Sequence, residues 1–163
     1  MRIIGIDPGT ATTGYSIIDN IKGKVKILDY GCIKTAAGLD ANIRLNQIAE
    51  DMQSLINKWK PNHASVEKLF FKKNVKTAIA VAQARGVIIQ KLTEGGVEFN
   101  EYSPLEIKLA VCGYGKADKK MIQQMVKITL GMKETPQPDD AADAIAAAIC
   151  LANSMSLKEK IAQ

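Results

Sequence analysis

The sequence predicts an α/β fold built on a five-stranded mixed sheet, with three antiparallel strands followed by parallel ones and helices on the flanks. Short apolar runs at 2–7, 14–19 and 24–35 are separated only by turn residues, which suits an antiparallel meander. Two further short runs, 63–67 and 97–102, alternate with segments of helical periodicity. The order is therefore βββαβαβ followed by helices.

Arg2 to Asp7 reads as a buried strand that ends in a Pro-Gly-Thr turn. Between 41 and 60, Leu45, Ile48, Met52, Leu55, Ile56 and Trp59 recur at i, i+3, i+4 and i+7, the mark of an amphipathic helix, and Pro61 stops it. A second helix is expected over 75–94, with Gly95-Gly96 as its stop. Ser103 and Pro104 open a third in the cap-then-proline manner, and Gly113 and Gly115 interrupt it. A fourth helix is expected over about 117–130. The last begins near Asp139, and its run of alanines lets a helix backbone lie very close to a sheet.

At 163 residues the chain suits one globular domain over 1–155, and 156–163 reads as a frayed tail. No stretch approaches the roughly 18 apolar residues of a membrane span, and no cleavable signal pattern opens the chain, so a cytoplasmic location is expected. Cys32, Cys112 and Cys150 are odd in number and lack C-x-x-C spacing, which suits buried reduced thiols better than disulfides or zinc. The net charge of +5 has the sign that a polyanionic partner requires, though mildly basic enzymes are common. More telling is its concentration at Lys68, Lys72, Lys73 and Lys76, and again at Lys108, Lys116, Lys119 and Lys120.

Four acids are candidates for chemistry. Asp7 ends an apolar strand, where α/β proteins place reactive groups, but Asp before Pro also initiates turns. Glu67 ends the strand run Ala64-Ser65-Val66, or is an exposed strand-end acid among lysines. Asp140 and Asp143 share one helix face a turn apart, where like charges ask for a cation. Acid enrichment at a helix start explains Asp139 well and Asp143 less well. Two strand ends and an alanine-packed helix can bring Asp7, Glu67, Asp140 and Asp143 to one cavity, and such hard oxygen ligands suit Mg²⁺ or Mn²⁺.

Gly5-Ile6-Asp7-Pro8-Gly9-Thr10 with Thr13-Gly14-Tyr15, then Val66-Glu67 with Phe70, Gln83-Ala84-Arg85-Gly86, and Asp140-Ala141-Ala142-Asp143-Ala144 together resemble the successive signatures of the RuvC resolvases. The resemblance runs from residue 2 to about 153, in the right order and spacing. It implies an RNase H-like fold, a homodimer, four-way (Holliday) junction DNA as substrate, and the RuvA–RuvB branch-migration complex as partner. It also implies that Asp7, Glu67, Asp140 and Asp143 are the catalytic metal-binding acids, with Asp139 in reserve because of the doubled aspartate. The expected chemistry is hydrolysis assisted by two Mg²⁺ ions, for which Mn²⁺ substitutes, in recombination and repair.

For DNA binding, Phe70 matches the family's aromatic position, and Lys72 and Lys73 beside it suit a loop that stacks on a base while neutralising phosphates. Lys108 and Lys119 are similar in placement to family lysines near the scissile strand, and Lys116 adds a phosphate contact. Ile79, Val81, Ala82, Val87, Ile88 and Ile89 spread over more than one face of the second helix, which suggests a dimer interface. The first turn also looks like the phosphate-binding turn of actin-like ATPases. Those proteins need two lobes, and that reading leaves Asp140 and Asp143 without a task.

Overall fold

The computed structural model describes residues 1–69 and 75–161. Its elements are β1 (Arg2–Asp7), β2 (Thr12–Ile21), β3 (Lys24–Lys34), α1 (Ala41–Trp59), β4 (His63–Glu67), α2 (Val75–Glu94), β5 (Glu98–Tyr102), α3 (Pro104–Cys112), α4 (Lys119–Leu130) and α5 (Asp139–Ile161). The strands form one five-stranded sheet in the order β3-β2-β1-β4-β5. β1 and β2 pair antiparallel, as do β2 and β3, while β1–β4 and β4–β5 are parallel. The expected mixed sheet is present, with β1 at its centre.

Strand alternation sorts the core into two layers. Ile4 and Ile6 of β1 and Ala64 and Val66 of β4 face α1 and α2, where Ile48, Met52, Ile56, Ala84, Ile88 and Leu92 close over them. The other face of the sheet carries α5, with α3 and α4 outside it; Ile107, Val111, Ile122 and Val126 pack against Ile145, Ala146 and Ile149.

Local chemistry sets the element ends. Ser103 forms a capping box with Glu106, which fixes the start of α3. Asp118 accepts from Met121 N at 2.8 Å, so α4 starts at Lys119, two residues later than the expected 117. α1 is capped after Trp59 by Lys60, which takes a left-handed conformation, and Gly96, at φ +66°, turns the chain from α2 into β5. The α5 backbone stays helical to Ile161, through the segment read from sequence as tail. Of the three cysteines only Cys150 is buried; Cys32 and Cys112 are half-buried, because Cys32 lies on the outer strand β3 and Cys112 at the end of α3. Among the described residues, no helix is long and apolar enough to cross a membrane.

Candidate active site

The site is an extension of the seam between the sheet and α5. On β1, Ile3, Gly5 and Asp7 share one parity, and on β4, Ser65 and Glu67 do the same. A Cβ on Gly5 would lie 2.1 Å from the carbonyl oxygen of Ala144, and one on Gly14 would lie 1.9 Å from that of Asp140. Only glycine admits α5 this close. Two buried serines tie the same layer together: Ser16 Oγ donates to Ala144 O at 3.0 Å and Ser65 Oγ to Ala147 O at 2.6 Å. On α5, Asp140 and Asp143 precede Ala144 and Ala147 by one turn each. The helix face that rests on the sheet therefore continues past the strand ends as carboxylates, where Asp7 and Glu67 also emerge.

The electrostatics are those of acids that stand within reach of one another. Burial raises the Asp7 carboxyl to about 8, and the charges of Glu67, Asp143 and Asp140 add to the effect. Glu67 rises to about 7, again chiefly through burial and then through Asp143, against the opposing pull of Lys119 and Lys108. Asp143 is raised by burial, with Lys119 opposing. Lys119 Nζ stands 3.5 Å from Asp143 Oδ2, and its own pKa is raised, first of all by that neighbour.

Asp139 points elsewhere. Its Oδ1 accepts from Gln123 Nε2 at 2.8 Å, its Oδ2 lies 4.0 Å from Lys119 Nζ, and it is not among the charges that raise Asp7. Among the described residues, no three Asp, Glu, His or Cys side chains are gathered tightly enough to form a finished metal-ligand set. The carboxylates are close enough to repel one another but do not converge on a single point.

Beside the acids lies a cleft of about 170 Å³. Glu67, Asp143, Lys108 and Lys119 line it with charge, and Pro104, Ile107 and Ile122 supply its apolar lining. The structure thus places Lys108 and Lys119 at the acids, while Lys116 is exposed in the turn between α3 and α4. Phe70, Lys72 and Lys73 lie outside the described residues. Sequence reasoning noted the alanines of α5 but missed their packing counterparts Gly5 on β1, Gly14 and Ser16 on β2 and Ser65 on β4; the signal available was a small residue in each of these otherwise apolar strands, two of them at alternate positions on β2. Cys32 was also not foreseen here, yet it pairs across from Gly14 on β3 and feels the charges of Asp140 and Asp7.

A family model described as "Crossover junction endodeoxyribonuclease RuvC" matches residues 3–151. The chain belongs to the RuvC family. Among curated RuvC proteins, that of Syntrophomonas wolfei is 49% identical over 157 residues, covering 96% of this chain and 91% of the relative. That of Halothermothrix orenii is 49% identical over 160 residues, covering 98% and 97% respectively. In three dimensions, Thermus thermophilus RuvC in complex with its Holliday junction substrate superposes with a TM-score of 0.91 at 30% identity, covering 97% of this chain and 96% of the other. The RuvC match spans both strand-borne acids and both helix-borne ones, and the mixed sheet with its flanking helices is the RNase H-like architecture expected from the sequence.

Proposed function

We propose that this protein is a structure-selective endonuclease that resolves four-way DNA junctions by paired symmetric nicks, leaving 5′-phosphate and 3′-hydroxyl ends, in recombination and repair in the bacterial cytoplasm. The observation that carries the reading is that Asp7, Glu67, Asp140 and Asp143 lie within electrostatic reach of one another at one end of the sheet, in a chain that matches RuvC proteins over nearly its full length. Supporting the substrate is the solved Thermus thermophilus relative, which is described in complex with a Holliday junction.

The donor set fits divalent metal. All four candidates are carboxylates, hard oxygen donors suited to Mg²⁺ and Mn²⁺, and their mutual repulsion is the condition that a bound cation relieves. Asp7, Glu67, Asp140 and Asp143 would hold two Mg²⁺ ions, drawing together from their present spacing. When bound, such ions supply an activated water and stabilise the leaving oxygen. The protein's own contribution is positional. Asp7 and Glu67 must give up their protons, which burial and repulsion make costly without a cation. Lys108 sets a positive charge in the cleft for a phosphate, and Pro104, Ile107 and Ile122 limit water there.

Lys72, Lys73 and Lys116 would neutralise phosphates away from the cut, and Phe70 would stack on an unpaired base. A homodimer supplies two equivalent sites to a junction of approximate two-fold symmetry. Outward Ile79, 60% exposed, and exposed Ala82 on α2 suit that interface, whereas Ile88 is fully buried within the protomer. Light scattering at micromolar concentration should report twice the 17.7 kDa chain mass. RuvA–RuvB is the expected motor partner through the family. The deciding experiment is cleavage of a labelled synthetic junction with Mg²⁺, with EDTA, and with Asp7→Asn. Paired nicks by wild type alone support the reading; cutting in EDTA would sink the metal mechanism, and absence of junction binding the substrate.

A further inference from the structure

Lys119 occupies a position that a phosphate-binding lysine does not need. It is the first residue of α4, held in place on both sides: Asp118 caps the helix by accepting from Met121 N at 2.8 Å, and Gln123, one turn on, donates to Asp139 at 2.8 Å. With α4 pinned to α5 in this way, the Lys119 ammonium bridges two acids of α5, at 3.5 Å from Asp143 and 4.0 Å from Asp139. Its side chain is 65% exposed while that of Asp143 is 22% exposed, so the lysine is far freer to swing away than the aspartate.

Resting on the metal reading above, we infer that Lys119 is the built-in counter-ion of the metal-free site, standing on Asp143 until a divalent cation displaces it. The reasons are steric and electrostatic. Asp143 Oδ2 cannot give the same lone pairs to an ammonium and to a metal ion, and two cations sharing one small cleft repel. Metal and Lys119 therefore compete for Asp143, and the competition is reciprocal: whatever the lysine subtracts from metal affinity, the metal subtracts from the lysine's hold on the acid. The arrangement keeps a cluster of repelling carboxylates in order before metal arrives, and it frees an ammonium beside the cleft at the moment the site becomes competent.

The test uses Mg²⁺ alone, without DNA, titrated calorimetrically into the full-length protein. Lys119→Met should bind Mg²⁺ about tenfold more tightly than wild type, in the usual range for coupled sites. Lys119→Arg, which keeps the charge, should stay near wild type. In wild type, Mg²⁺ should also speed acylation of Lys119 by an amine-reactive acetyl ester, read by mass spectrometry against its neighbour Lys120; this arm needs no variant to fold. Equal or weaker Mg²⁺ binding by Lys119→Met, or acylation of Lys119 indifferent to Mg²⁺, overturns the inference while leaving the metal reading intact. Failure of wild type to bind Mg²⁺ overturns both.

Discussion

Ser65 Oγ donates to the carbonyl of Ala147 at 2.6 Å, and the two residues lie one structural repeat from a pair of proposed ligands. Two positions along β4 from Ser65 is Glu67, and one helical turn back from Ala147 is Asp143. The hydrogen bond therefore fixes the axial offset between a strand-borne and a helix-borne carboxylate. Ser65→Ala should lose about 1 kcal/mol of stability, the net worth of a hydrogen bond of this kind. Cleavage of a saturating junction should fall by more than the folded fraction does. Urea denaturation beside single-turnover cleavage separates the two; a loss of stability with unchanged cleavage would mean that the bond does not set the spacing.

Gly5 makes the same point sterically. A Cβ there meets the Ala144 carbonyl at 2.1 Å, the Ser16 hydroxyl at 2.7 Å and the Ala148 methyl at 2.8 Å, so α5 must lift or tilt to admit it. Gly5→Ala should cost about 1–3 kcal/mol through overpacking. Because α5 carries Asp140 and Asp143, Mg²⁺ affinity should fall with it. Calorimetric Mg²⁺ titration of the folded variant is the check; wild-type affinity would show that the acids tolerate the shift.

The order of elements and the mixed sheet were legible in the sequence because each rests on local pattern, and the candidate acids were visible in the same pattern: apolar strands that end in Asp7 and Glu67, and an alanine-rich helix that begins with aspartates. What was not legible depends on three-dimensional register. Nothing in the sequence says that Ser16 and Ser65 aim at helix carbonyls rather than at water, since a strand serine carries no sign of its facing element. The choice between Asp139 and Asp140 is equally rotational. One residue along α5 turns the side chain by about 100°, which sends Asp139 toward Gln123 and Lys119 on α4 and leaves Asp140 within electrostatic reach of Asp7. The partner of Lys119 was hidden for the same reason: 24 residues separate it from Asp143 in the chain, and only the packing of α4 on α5 joins them.

Lys108 and Lys116 should separate by phenotype. Lys108 lines the cleft with Glu67 and Asp143, whereas Lys116 is exposed in the turn that follows α3. Lys116→Ala should weaken junction binding and lower the salt slope of log K by about one, as expected for one lost phosphate contact. Lys108→Ala should bind nearly as well as wild type and cut bound junction more slowly, by about a hundredfold. Binding titrations at several salt concentrations, paired with single-turnover cleavage, tell the two apart. Identical behaviour of the two variants would count against a role in the cleft for Lys108.

Phe70 lies three residues beyond Glu67, so a stacking role would couple base unpairing to the acid that ends β4. Phe70→Ala should retain junction affinity, which phosphate contacts dominate, and lose cleavage. A fluorescent base analogue at the crossover would lose its Mg²⁺-independent signal change in the variant. Wild-type cleavage by Phe70→Ala would return that ring to a purely structural role.

The raised carboxyls make metal-free stability depend on pH in a direction opposite to that of an ordinary salt-bridged acid. Asp7 and Glu67 rise to about 8 and about 7 in the folded chain, above their ordinary values of 3.8 and 4.5. The folded state therefore holds protons that the unfolded chain has already released. Their contribution is fully present below the ordinary values and is lost progressively as pH rises from 3.8 and 4.5 to the folded values of about 8 and about 7. In EDTA the melting temperature should fall across that window. In Mg²⁺ the fall should be absent, since ion and proton compete for the same oxygens, and the stabilisation by Mg²⁺ should grow as the protons leave. Asp7→Asn removes the most strongly shifted group. In EDTA above its pKa the variant should melt higher than wild type, although it no longer cuts. Each unit of raised pKa corresponds to about 1.4 kcal/mol, so the crossover is well within reach of thermal melts. An Asp7→Asn variant that melts below wild type at high pH without metal would show that Asp7 is held by a compensating contact rather than strained by its neighbours.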